Sequence, residues 1–525
     1  KLKRLFPKEL YTIKKSGVVG KYKGDIFNKT ENEKLYTDAI INVTFDRALF
    51  KIADKLKFDN KFLNSMLKEI PVFKGKEIMS ARDLREEFYN KGVTLRFGEK
   101  LVKYVKYKRS SSKAREGSHL FIKENLQEKM SDWEKFGIHY DDKDENVPLA
   151  AIKTYESLTS SGIEKIVKIL PNEILLINDV EKEVKVKASV TTELENGEIV
   201  AEDNDEYMVT NVIWDGQSLA DTSLFDGESK KQKGMMLLRN SFFKSCGFNT
   251  NIQKWFDDKF GDNKNEFILD MFGHKVKRTD IKLITTPSSL KFLKFYDKFP
   301  GADIYTKKKE CYERWLKNIS DEFGVCKHES ASPFGESHQL SYQIINSLPL
   351  SRSKVKLLLK NELEHIGKMK NDVAYFKSTI NLKNPISSPS DALMLMLLNV
   401  NHKMWDTKMI KDYVKDKVDN YIANLRKGHI KVKGSDYAVL FGNPLEMLQY
   451  AMNGEINEIP LKGKQIYCSR YADGEKLAGF RNPHITMGNV LVAENKYKEE
   501  FTTYFNLTDN IDLPNKSCKM RSNVL

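Results

Sequence analysis

Apolar and polar positions change period twice along the chain. From Ile174 the short run ILLIND is apolar, EVKVKASVTTEL (183–194) alternates, and YMVTNVIWDG (207–216) is rich in β-branched and aromatic residues. Alternation bounded by turn residues, Asn196-Gly197 among them, predicts strands, so residues 166–300 read as a β region. After Pro300 the period becomes helical. SRSKVKLLLKNELEHIGKMKNDVAYF (351–376) puts Val355, Leu358, Leu359, Leu363, Ile366 and Met369 on one face. A second helical pattern starts at the capping position Ser390-Asp391 and runs to about Arg426, before Gly428. Residues 301–427 thus read as a helical connector. Strands return from His429, in HIKVKGSDYAVLFGNP, KQIYCSRYADG and KLAGFRNPHITMGNVLVAENKY (476–497).

That last stretch has its own punctuation. Pro483 fixes its own φ and pushes Asn482 out of the helical region, so Arg481-Asn482-Pro483-His484 reads as a turn. Met487-Gly488-Asn489 offers a second bend, and Val490-Leu491-Val492 reads as a buried strand. Taken locally, this is a hairpin in a β region.

Residues 1–165 read as mixed and mostly helical. YTDAIINVTFDRALFKIADKLKF (36–58) spaces its apolar residues in a mostly helical way, and a short helix ends near Ser161-Gly162. LVKYVKYKRSSSKAREGSHLFI (101–122) alternates apolar with basic residues and then enters a Lys/Arg/Ser run. Lys106, Lys108, Arg109, Lys113 and Arg115, interleaved with Tyr104 and Tyr107, read as a basic loop. Phosphate binding and plain solvation both suit such a loop.

Composition narrows the class. A chain of 525 residues with 40% apolar content should form about two to four domains with real cores. The net charge of +14 is carried mostly by lysine spread along the chain. It suits a polyanionic partner such as nucleic acid, and it equally suits a lysine-rich genome. The five cysteines form no CxxC, which fits a reducing, intracellular setting. Cys326 and His328 lack a second pair at zinc spacing. The longest apolar run, 392–398, is too short for a bilayer, and no signal peptide is visible, so a cytoplasmic protein without a membrane partner is expected. The acidic clusters 141–145 and 202–206 read as solvated turns.

Four stretches, in this order, resemble one family. TYESLTSSGIEKIVKILPNEILLIND looks like the start of the first barrel of the RNA-silencing RNA-dependent RNA polymerases. IWDGQSLADTSLF (213–225) is similar to the "DGxG" stretch of that barrel, and SYQIINSLPLSRSKVKLLL (341–359) to the "YQ…L" opening of the connector. KLAGFRNPHITMGNVLV resembles the "RNPxxxPGD" stretch of the second barrel, with Gly488-Asn489 in place of Gly-Asp. The resemblance covers about 150–525 and leaves the N-terminal third unexplained. It implies an α+β fold: two double-psi β-barrel regions, the second incomplete, joined by the helical connector. The expected boundaries are 1–165, 166–300, 301–427 and 428–525.

The resemblance also implies a chemistry. The family's relatives in phages and mobile elements, to which the composition points, share a template-directed RNA polymerase activity that adds ribonucleotides to an RNA 3′ end. The expected partners are a nucleic-acid template, the RNA product and nucleoside triphosphates, and the expected cofactor is Mg²⁺. Two metal ions that clamp the attacking and leaving oxygens need clustered carboxylates. The family holds them in a DxDGD-like loop downstream of the RNP stretch, and no such spacing follows Val490. The chain is therefore expected to be a fragment that stops before its metal loop, with no metal ligands of its own. From the first barrel the resemblance carries over Arg239 and Lys244 in KKQKGMMLLRNSFFKSCGFNTNI (230–252), and Lys291 in ITTPSSLKFLKF (284–295), as triphosphate-neutralising cations. The family's glycine after the lysine is Ser245 here, and Thr285 or Thr286 stands where it has an arginine. Each cation also reads as an ordinary surface charge. Arg481 is the second-barrel candidate for nucleotide or template. Two rival readings stay open: a non-catalytic nucleic-acid-binding protein of the same fold, and a basic α+β protein of another role.

Overall fold

The structure, a computed structural model, describes residues 11–17, 29–31, 34–45, 81–109, 118–136, 138, 149–160, 163–225, 233–261, 266–328, 337–340, 342–381, 389–435, 441–458, 460–480 and 490–507. The fold is mixed α+β. It divides into two compact units, one of Lys1–Glu329, Phe441–Pro460 and Lys498–Thr508, the other of Ser330–Leu440, Leu461–Tyr497 and Asp509–Leu525.

The first unit begins with a sheet where helices were expected. Strands β1 (Tyr11–Gly17), β2 (Lys29–Glu31), β3 (Lys34–Phe45), β4 (Val93–Phe97), β5 (Lys100–Arg109) and β6 (Ser118–Lys123) form it in the order β1-β3-β6-β5-β4, with β2 beside β3. The correction has a physical cause. Ile41 and Val43 of β3 join one core, with Phe88, Tyr104 and Phe121. Ala39 and Ile40 join another, with Leu120, Ile122 and Met130. A strand apolar on both faces loses its period of two, and its continuous run imitates helical spacing. The rest of the expected helix, 46–58, lies outside the described residues.

A larger sheet follows. Its chain passes through β7 (Lys165–Lys168), β8 (Ile174–Leu176), the long hairpin β9 (Glu181–Glu193) and β10 (Ile199–Val212), β11 (Gln217–Asp221), β12 (Met235–Asn240), β13 (Phe243–Thr250), the small hairpin β14 (Phe267–Leu269) and β15 (Lys275–Lys277), β16 (Leu283–Thr285) and β17 (Glu322–His328). Seven of these strands pair in the order β7-β17-β12-β13-β11-β16-β8. β11 runs parallel to β13, and β16 parallel to β8; the other pairings are antiparallel. The strands expected at Ile174, 183–194 and 207–212 are present, and Gly197 turns the long hairpin at φ +80°. The sheet does not stop at the expected boundary of 300. The helix Ile304–Asn318 presents Cys311, Tyr312 and Trp315 to the same core as Leu238, Phe243 and Phe323, and β17 then adds a strand.

The second unit carries a helical bundle. Lys360–Asn371, Val373–Asn381, Pro389–Val400 and Lys408–Arg426 surround a core that includes Ile366, Met369, Phe376, Leu398, Ile410, Val414 and Val418, and the short helix Arg352–Leu358 before them buries no residue. The single apolar face expected over 351–376 is broken at Leu359 (φ −85°, ψ −2°) and again at Asp372 (φ −124°, ψ 110°), and Leu363 is exposed. A buried carboxylate ties this bundle to the returning chain: Glu362 accepts from the Lys431 backbone N–H at 2.7 Å and from the Tyr421 hydroxyl. The last helix ends at Arg426, and Gly428 follows at φ +82°. Among the described residues, five short strands accompany the helices. β18 (Ser337–Gln339) pairs with β19 (Lys431–Lys433), and β20 (Gln465–Ile466), β21 (Lys476–Phe480) and β22 (Val490–Asn495) pair in the order β20-β22-β21. The strand read at 490–492 is present, but it is buried on one face only: Leu491 is 5% exposed and Val492 56%. The turn at 481–489 lies outside the described residues. Among the described residues no helix is long and apolar enough to cross a membrane.

Candidate functional site

The three cations carried over from the first barrel fall on two neighbouring pieces of backbone. β12 and β13 form a hairpin in which Asn240 pairs with Phe243, leaving Ser241-Phe242 at the turn. Phe242 sits at φ +54°, a strained conformation for a bulky residue. Packing holds it there. Its buried ring lies 5.1 Å from Phe292, 5.8 Å from Phe295 and 5.9 Å from Phe136, centroid to centroid. The turn is pinned through its carbonyls as well: Ser241 O accepts from Trp315 Nε1 at 2.9 Å, and Phe242 O from the Lys291 N–H at 2.7 Å.

One residue pair back from that turn, Arg239 stands opposite Lys244. Directly opposed residues share a face of the sheet. Arg239 is half-buried and donates from Nη1 to Leu238 O at 2.7 Å. Burial holds its pKa below the ordinary arginine value, yet a guanidinium keeps its proton. Lys244 is exposed, and its backbone N–H donates to Ser289 O at 3.1 Å. The hairpin therefore lies against the turn 286–289, after which Lys291 follows. Lys291 is half-buried and donates from Nζ to Ser288 O. Burial pushes its pKa below the ordinary lysine value; Asp215 opposes that shift, and Lys294 and Lys244 add to it. Lys244, Lys294 and Asp215 thus stand near enough to act on Lys291, while Arg239, opposite Lys244 in the hairpin, has Cys326 and Cys246 as the groups acting on it.

Two of these neighbours were missed in the sequence, and a third residue with them. Lys294 follows Lys291 at three-residue spacing in a helical turn, which places both on one side. Asp215 was visible as the acid of the Asp-Gly pair after β10, but nothing local ties it to a lysine far along the chain. Asp179 gave no signal. It is half-buried beyond β8, and its Oδ2 accepts from the Ser288 N–H at 2.9 Å. Burial pushes the pKa of its carboxyl up, against hydrogen bonds from Thr286 and Ser288. Where the family has an arginine, Thr285 and Thr286 are buried, and Thr285 Oγ1 accepts from Ser218 at 2.7 Å, so no cation stands there.

The other candidates lie elsewhere. Lys106, Lys108 and Arg109 belong to β5 and not to a loop. Lys108 is buried, ion-paired to Glu134 and bonded to Glu156 O at 2.8 Å, so it serves the core and not a phosphate. Lys106 is exposed, with Nζ 4.8 Å from the centre of the Tyr89 ring. Arg109 pairs through its backbone with His119. Arg481, Lys113 and Arg115 lie outside the described residues.

The acidic cluster 202–206 is in β10 and not in a turn, and it is solvated there. Glu206 pairs with Lys185 at 3.2 Å and Asp205 with Lys187 at 2.7 Å, all exposed. The cluster 141–145 lies outside the described residues. Among the described residues, no three of His, Cys, Asp or Glu stand together as metal ligands. They do not fit a magnesium cage.

No family model matches the chain, and no curated protein matches it. Among solved structures it is similar to the RNA dependent RNA polymerase QDE-1 from Thielavia terrestris, at 14% sequence identity and a TM-score of 0.45, over 96% of this chain and 51% of that one. The chain thus spans about half the length of that polymerase. The likeness is distant and decides neither the fold nor the chemistry of this chain.

Proposed function

We propose that this chain is part of a template-directed RNA polymerase, and that Arg239, Lys244 and Lys291 take the triphosphate of an incoming ribonucleotide. The observation that carries the reading is the seating of the Arg239–Lys244 hairpin against the turn that delivers Lys291. Fixed cations on rigid strands suit a leaving group whose negative charge grows in the transition state. The two β regions would be double-psi barrels, as the four sequence stretches imply. Magnesium would accompany the triphosphate, held by carboxylates that the described residues do not supply. Template and product would contact the basic remainder of the chain, Arg481 included. The relatives would be those of phages and mobile elements.

The test is binding of ATP and of single-stranded RNA by the whole chain. Salt-dependent binding of both, with ATP affinity lost in the Arg239→Ala/Lys244→Ala double variant, is the expected result. Unchanged ATP binding in that variant overturns the site. A second reading, a nucleic-acid-binding protein without catalysis, is favoured by the lack of a carboxylate cluster among the described residues. Incorporation of labelled ribonucleotides on a primed RNA template separates the two.

A further inference from the structure

One half-buried turn links Lys291 to an acid, Asp179, that the triphosphate reading leaves unexplained. Ser288 is its centre. Its backbone N–H donates to Asp179 Oδ2 at 2.9 Å, and its carbonyl accepts from Lys291 Nζ. Its hydroxyl accepts from the Gly216 N–H at 3.1 Å and lies 2.7 Å from Thr286 Oγ1. Asp179 therefore grips one side of a single peptide unit's residue while Lys291 grips the other. The same residue touches the backbone next to Asp215, whose charge acts on Lys291.

Asp179 occupies this place at a cost. Its Oδ1 is buried and has no hydrogen-bond partner among the described residues, and Asp215 acts on it as a like charge. Unpaired buried carboxylate oxygens are expensive. A carboxylate kept in such surroundings, bonded only to a turn, points to a role in setting that turn. Pro287 stiffens the turn further.

We propose that Asp179 is a positioning residue: through Ser288 it holds the turn 286–289 so that the Lys291 ammonium stands in place beside Lys244. The proposal rests on the triphosphate reading only for its consequence, not for the contact. Asp179 touches no substrate and acts through Lys291. The carbonyl of Ser288 orients the ammonium, the carboxylate of Asp179 orients Ser288, and Asp215 adds the charge that Lys291 faces. Lys294, Lys244 and the Tyr155 phenol are the other titratable groups acting on Lys291.

The primary test reads Lys291 itself. Amine-reactive labelling of the whole chain is followed at Lys291 by mass spectrometry across a pH series, in the native protein, Asp179→Ala and Asp179→Asn. Freed from its turn, Lys291 gains water, and its labelling midpoint should rise towards the ordinary lysine value by about half a pH unit or more in Asp179→Ala. The amide of Asp179→Asn still offers an acceptor to the Ser288 N–H, so that variant should restore the native midpoint. An identical midpoint in all three proteins overturns the proposal. Circular dichroism melts confirm that each variant folds, and if Asp179→Ala does not, Ser288→Pro, which removes the same N–H, is read in its place. ATP binding supplies the second arm. Asp179→Ala should weaken it roughly tenfold in the native background and less than about twofold in Lys291→Ala. A full tenfold loss in the Lys291→Ala background also overturns the proposal. If Lys291→Ala itself binds ATP normally, the triphosphate reading falls, while the labelling result still decides the role of Asp179.

Discussion

Arg239 and Lys244 are cross-strand partners beside the turn of the β12–β13 hairpin, so their side chains leave one face of the sheet together. Two like charges placed this way repel one another. An anion between them would relieve that repulsion. Loss of one charge-assisted contact costs about 1.5–3 kcal/mol. Arg239→Ala and Lys244→Ala should therefore each weaken ATP binding by roughly tenfold or more, measured by calorimetry at fixed salt. Unchanged melting curves would show that the loss is local.

Lys108 offers the opposite case. Its ammonium and the Glu134 carboxylate are both buried, at 5% and 6% side-chain exposure. Lys108→Met takes the ion-pair partner from a buried carboxylate and should cost about 3–5 kcal/mol of stability, read by urea unfolding. The double change Lys108→Met/Glu134→Leu should recover most of that loss. Affinity for single-stranded RNA should not move in the double variant; a drop would return Lys108 to the binding surface.

Phe242 balances strain against packing. Removing its ring empties an aromatic cluster, so Phe242→Ala should destabilise by about 3–5 kcal/mol. Phe242→Gly makes the same cavity but accepts φ +54° without strain. It should be more stable than the alanine variant by about 1 kcal/mol. Equal unfolding midpoints for the two variants would remove the strain argument.

His274 predicts a pH dependence with a definite sign. Its ring lies 2.9 Å from Asp270 Oδ2 and 3.0 Å from Glu313 Oε1. Burial works to lower its pKa, but bonds to the two carboxylates outweigh burial and raise it above the ordinary histidine value. A raised folded-state pKa means that the protonated ring stabilises the fold. That contribution is fully present below the unfolded value and is lost as pH rises through the folded one. His274→Gln should therefore lower the melting temperature most at about pH 5.5–6 and least above pH 8. A deficit that grows with pH would contradict the arrangement.

The strand Glu181–Glu193 was legible because alternation of burial is a local signal, and the one at Ile174 because a short apolar run closes on turn residues. The end of the last connector helix was legible for a similar reason: Gly428 needs a positive φ wherever the chain goes next. β3 was not legible, since Ala39, Ile40 and Ile41 serve two cores and erase the period. The helix Ile304–Asn318 read as part of the connector, and its place in the first core was not legible, because its partners Leu238, Phe243 and Phe323 arrive from distant segments.

The site divides the same way. By itself the sequence determined which cations stand inside apolar runs, and Arg239 and Lys244 follow from a hairpin that is local in the chain. The tertiary structure alone decided that the turn before Lys291 packs on that hairpin, that Lys108 is paired inside the core, and that Asp179 and Lys291 bond the same residue, Ser288. Periodicity reports what each residue's nearest neighbours do. Whether a charge faces a ligand, a carboxylate or the core depends on backbone brought from far away, and for Lys108 that is Glu134 and for Lys291 the turn at Ser288.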